Sequence, residues 1–187
     1  MTRTVFAGGR VFDGTGSPLA EADVVVEAGR VVEVGPGLDG DEAVDCAGRA
    51  VLPGLFDCHV HLSSRHEDLD ELRVLYEPFS LPFFRMAENL RTTLALGITT
   101  VRDAAGADAG LKRAVEEGVL VGPRMQISVN MLSMTGGHSD AWLPSGGLHP
   151  WGISYPGMPR GLCDGVDGVT AKVREMIRSG ADVIKIA

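Results

Sequence analysis

Three imidazoles and one ammonium are the groups in this chain whose placement suggests chemistry. His59 and His61 close the stretch LPGLFDCHVHL, residues 52–62, which is apolar ahead of them and reads as a strand. Side chains at i and i+2 of a strand share a face. The two rings therefore project together, while Phe56, Cys58 and Val60 point the other way, towards packed helices. Two imidazoles converging from one strand form a chelating pair suited to a borderline divalent cation such as Zn²⁺. The motif is short, and two unrelated histidines, one at the surface and one hydrogen-bonded in the core, account for it equally well.

Lys185 sits inside the apolar run ADVIKIA. Lysine is rarely buried without a partner, because taking an ammonium out of water costs several kcal/mol. It can snorkel from the strand end or pair with a carboxylate such as Asp103. Alternatively, burial depresses its pKa and the neutral amine captures CO2. The resulting carbamate is an anionic, two-oxygen ligand able to bridge two metal ions. His138, in MTGGHSDAW, follows a predicted strand. It reads as a group contacting a substrate carboxylate or polarised carbonyl, or as a solvent-exposed loop histidine. Trp142, Trp151 and Tyr155 either wall a pocket for an apolar or aromatic substrate or pin their own loop. Arg102 and Asp103 fit a structural salt bridge or helix cap, or groups standing behind metal ligands. His66 and His149 read as surface residues, and Cys58, facing away from the histidines, as core rather than nucleophile.

These groups need a scaffold. Residues 1–52 carry Val-rich runs with turn punctuation, including a hairpin signal at Glu27-Ala28-Gly29-Arg30, and predict a small module of four or five strands. From residue 53 the pattern alternates. GLFDCHVHL, GITTVRDA, PRMQISVN and ADVIKIA read as strands, separated by helical stretches at about 69–96, at AGLKRAVEEG and at GVTAKVREMIRSG. Pro78 and Pro82 must interrupt the first of these helices, and a long loop spans about 131–164. Alternation of this kind implies βαβ units and a parallel sheet. Four βα steps in residues 53–187 make about half of a (β/α)8 barrel of roughly 250 residues. Half a barrel leaves two open sheet edges, so the chain reads as the first half of something larger.

The chain of 187 residues, with formal charge −8 and 44% hydrophobic residues, has a globular composition. No apolar run approaches the roughly 20 residues of a membrane span, and the N-terminus lacks a secretory signal. Three widely spaced cysteines argue against a disulfide framework and for a cytoplasmic setting. No basic block offers a footprint for nucleic acid or an anionic membrane.

VLPGLFDCHVHL after a β module, then LALGITTVRDAAG, then SGADVIKIA, resembles the metal-dependent amidohydrolase superfamily from about Val11 onward. GGHSD at 136–140 points to the branch of imidazolonepropionase-like amidohydrolases and Xaa-Pro or Xaa-Arg/Lys dipeptidases, the prolidases. The resemblance implies a (β/α)8 barrel, begun by residues 53–187, and a β-sandwich begun by residues 1–52 and completed by the opposite chain end. It implies two zinc ions, the more buried one bound by His59 and His61 of the first barrel strand, with carbamylated Lys185 of the fourth bridging the two. Histidines of the fifth and sixth strands and an aspartate of the eighth would complete the site, and they would come from the C-terminal half of the same enzyme. The implied activity is hydrolysis of an amide or peptide-like C–N bond in a small molecule, a dipeptide or an aryl amide or carbamate, by a metal-bridged hydroxide. Lys185 and His138 are its catalytic candidates, His138, Trp142 and Tyr155 its substrate contacts, and a homo-oligomer its assembly. A mononuclear deaminase or imidazolone-type hydrolase is the alternative chemistry, against which Lys185 speaks. An inactive half-barrel needing its complement is the third reading.

Overall fold

The computed structural model describes residues 2–63, 77–149 and 154–187. Trp151, His66 and the first part of the helix expected over 69–96 lie outside the described residues. The chain divides into two compact units, Met1–Gly54 and Leu55–Ala187.

The first unit is one mixed five-stranded sheet of β1 (Arg3–Val11), β2 (Ala20–Glu27), β3 (Arg30–Gly35), β4 (Glu42–Asp45) and β5 (Ala50–Val51). Its order is β3-β2-β1-β4, with β5 also on β1. The hairpin turns where the sequence places it. Ala28 and Gly29 both have positive φ, 51° and 72°, the handedness that matches the twist of the flanking strands. Where a sandwich was expected, the described residues supply a single sheet.

The second unit carries β6 (Leu55–Val60), α1 (Leu81–Ala95), β7 (Ile98–Asp103), α2 (Ala109–Glu116), β8 (Arg124–Ile127), β9 (Met131–Leu132), α3 (Gly165–Arg178) and β10 (Lys185–Ile186). Strands β6, β7 and β8 pair in parallel in that order. The core beneath them includes Leu90, Val101, Ile127, Val129 and Met176, each 2% exposed or less. Pro82 starts α1 rather than interrupting it, because a proline in the first turn lacks only an N–H that has no helical partner anyway. Asp108 caps α2, its carboxylate accepting from Leu111 N at 2.8 Å. Past α3 the Gly180 φ of 96° lets Ala181 N reach back to the Met176 carbonyl.

Two sequence expectations need correction. The fourth strand does not extend the β6-β7-β8 ladder; β10 pairs with β9, inside the stretch expected to be loop. The cause is Val129. The run MQISVNML would be one strand, but Asn130 N bonds Ser128 O at 2.8 Å across a Val129 whose φ is 65°. That γ-turn ends β8 and begins β9 two residues later. The two short sheets stay linked through Ile127, whose carbonyl accepts from Asp182 N and Val183 N and whose N–H meets the Asp182 carboxylate. The second correction concerns Phe56 and Cys58, expected under helices but exposed, Phe56 by 69%. Strand β6 is the edge of its sheet and α1 packs on β7 instead.

Candidate metal centre

His59 lies in β6 and His61 just past its last residue, beyond a register irregularity between Asp57 and Val60, and their ring centroids lie 5.3 Å apart with planes at 66°. The His61 ring is fixed from the far side: its Nδ1 sits 3.0 Å from the Ala105 carbonyl. A carbonyl only accepts, so Nδ1 carries the proton and the Nε2 lone pair of the neutral ring is free to ligate. No hydrogen bond reaches the His59 ring among the described residues. Both rings thus keep a donor nitrogen available, and the pair suits two positions of a divalent cation's shell. Among the described residues, no cluster of three or more His, Cys, Asp or Glu side chains is placed to hold a metal.

The loops that follow β6, β7 and β8 are knitted together. Asp103, the last residue of β7, is fully buried, and its carboxylate accepts from Leu62 N at 2.7 Å and from Ala105 N and Ala107 N at 3.1 Å. Burial pushes this carboxyl above its ordinary range, against the three amide donors and the neighbouring His61. Gly106 N reaches Val129 O at 3.0 Å. Gly106 has φ 112°, and a Cβ there would come within 2.0 Å of Ser63 Oγ, so only glycine fits this crossing of loops. Among the described residues, Asp103 therefore pairs with neither Lys185 nor a helix end, and Arg102 makes no salt bridge either, its Nε donating to the Cys58 carbonyl at 2.7 Å. Sequence reasoning undervalued Asp103, because its three partners lie in two separate loops.

Lys185 stands opposite Met131 in the β9–β10 pair and is half-buried, without an ion pair among the described residues. His138 is exposed on a loop held at both ends. Asp164 takes Thr135 N and Oγ1, which hold its carboxyl below the ordinary range, and Asp140 takes Gly136 N and Trp142 N. Trp142 is 60% exposed. Tyr155 is turned inward. Its ring packs edge-on against Phe79 and Phe83 at 5.4 and 5.6 Å, and its hydroxyl donates to the Asp108 carboxylate at 3.2 Å. Burial, reinforced by the Asp108 charge, pushes that hydroxyl's pKa up and keeps it a donor. The structure brings His59 and His61 together; among the described residues, no hydrogen bond, ion pair or ring contact joins Lys185, His138, Trp142 or Tyr155 to them.

Residues 50–187 match the amidohydrolase family model. The chain is 31% identical over 199 residues to ochratoxinase of Aspergillus niger, covering 98% of this chain and 41% of that protein. Among solved structures, a prolidase complexed with N-methylphosphonate-L-proline is 38% identical with a TM-score of 0.82, across 99% of this chain and 46% of the other. A Xaa-Pro dipeptidase with bound methionine is 26% identical with a TM-score of 0.74, across 98% of this chain and 46% of the other. The chain thus spans less than half the length of these relatives.

Proposed function

The chain belongs to the amidohydrolase family, and on that premise we propose that it contributes the first half of a TIM-barrel-type metallohydrolase cleaving an amide or peptide-like C–N bond of a small molecule. The observation that carries this reading is the paired, metal-ready imidazoles of His59 and His61 at the end of a parallel strand. Active sites of such barrels gather at that end of the strands. Relatives named prolidase and Xaa-Pro dipeptidase favour a dipeptide as the substrate class.

His59 and His61 would hold one of two divalent ions, zinc by the preference of imidazole for that metal. Lys185, whose neutral amine would take up CO2 and release one proton, would add an anionic carbamate to the residues holding the ions. When bound, the cations supply Lewis-acid polarisation of the scissile carbonyl and acidify a water. His138, exposed on its anchored loop, would orient the substrate carboxylate, and the exposed Trp142 ring would offer it an apolar wall. Tyr155, packed on Phe79 and Phe83 and bonded to Asp108, would anchor its own loop. The remaining ligands and the proton shuttle would come from further strands of the enzyme, and an opposing sheet would complete a sandwich with residues 1–52.

The test is metal content of the full-length enzyme, measured with dipeptide turnover. Two zinc equivalents per protomer, falling in His59→Gln and His61→Gln together with turnover, is the expected result. One equivalent with ammonia release would select a mononuclear deaminase instead, and undiminished zinc in both variants would refute the site.

A further inference from the structure

We infer that Asp103 is a positioning residue for His61, setting which ring nitrogen faces the cation; this rests on the reading of His61 as a metal ligand. The imidazole is held at two points, and the Asp103 carboxylate stands behind both. At the backbone, Leu62, the next residue after His61, gives its N–H to Asp103 Oδ2 at 2.7 Å. At the ring, the acceptor of the Nδ1 proton is the Ala105 carbonyl at 3.0 Å. The direction of that carbonyl is set from both sides. Ala105 N donates to Asp103 Oδ1 at 3.1 Å, and the N–H of the same peptide group as the carbonyl, Gly106 N, donates to Val129 O at 3.0 Å. Ala107 N adds a second amide to Oδ1, the third on the carboxylate.

A peptide fixed in this way presents a pure acceptor to Nδ1, which selects the tautomer with the proton there and the lone pair on Nε2. A role confined to folding would need the carboxylate to organise the loop and nothing more. The geometry says more, since the amide next to His61 and the amide of the residue that accepts its ring proton both donate to this one side chain. The end of strand β7 thereby controls a ligand that follows directly on β6.

The experiment uses full-length, metal-free protein with ¹⁵N-labelled histidine, the His61 ring signal being the one absent from a His61→Gln sample. Wild type should show a single neutral tautomer protonated at Nδ1. Asp103→Asn keeps the shape but replaces one acceptor oxygen with an NH2 group. It should show mixed tautomers and bind zinc about 10- to 100-fold more weakly, the usual effect of losing a group behind a ligand. Leu90→Ala, a cavity variant on α1, serves as the control for lost stability and should leave the tautomer untouched. Asp103→Asn with the Nδ1–H tautomer and zinc affinity both preserved would overturn the inference, as would equal scrambling in the control. Unchanged zinc binding in His61→Gln would remove the ligand reading, and the tautomer comparison would then decide the positioning role by itself.

Discussion

The availability of Nε2 on His61 depends on the Ala105 carbonyl occupying the other ring nitrogen. The H-x-H spacing made the pairing of the two rings legible in the sequence, because strand alternation is a local rule. The Ala105 contact was not legible, since it joins residues 44 positions apart. Lys185 was picked out by its apolar neighbours, and its half-buried ammonium has no ion pair among the described residues. On the function proposed above, Lys185→Ala should abolish binuclear metal binding in the full-length enzyme, with added bicarbonate unable to restore it; metal analysis showing two ions retained would refute the proposed bridging role. A second residue-scale prediction concerns Asp23, whose carboxyl is held below its usual range by the amides of Gly8 and Leu38. Its folded pKa lies below its unfolded one, so its stabilisation is complete above about pH 3.9 and is lost as pH falls through the folded value. Asp23→Asn should lower the urea midpoint at neutral pH, and the gap from wild type should close in strong acid.

At the scale of elements, the parallel strands β6 to β8 and the helices after β7 and in the last segment follow from the alternating pattern of the sequence. The split of the third strand does not follow from it, because valine is a poor candidate for positive φ and only tertiary packing holds Val129 there, fully buried. Helix α1 rests on the i, i+4 pair Met86 and Leu90. Leu90→Ala should cost about 2–5 kcal/mol of unfolding free energy, the range for truncating a fully buried leucine, measured by chemical denaturation. Gly161 marks a tighter constraint: a Cβ there would fall 1.7 Å from the Met131 carbonyl oxygen. Gly161→Ala should force β9 away from the segment that accepts Ser133 N at Gly161 O. The cost should reach about 1–3 kcal/mol, and hydrogen exchange at Ser133 and Cys163 should rise.

For the molecule as a whole, the second unit leaves apolar side chains at both outer strands: Leu55 and Phe56 on β6, 52% and 69% exposed, and Ile186 on β10, 72% exposed. Unpaired strands with apolar side chains invite pairing with another chain. The 187 residues expressed alone should associate with rising concentration in light scattering, and Phe56→Lys should reduce that association. Between those strands lies the turn at Val129, where a branched side chain sits in a backbone region that costs about 1–2 kcal/mol. This one torsion joins the wall that carries the paired imidazoles to the wall that carries the lysine, like a mitred joint cut at a fixed angle. Glycine at 129 would relax the joint and let the angle wander, so the protein would trade a defined angle between its two short sheets for a more comfortable main chain.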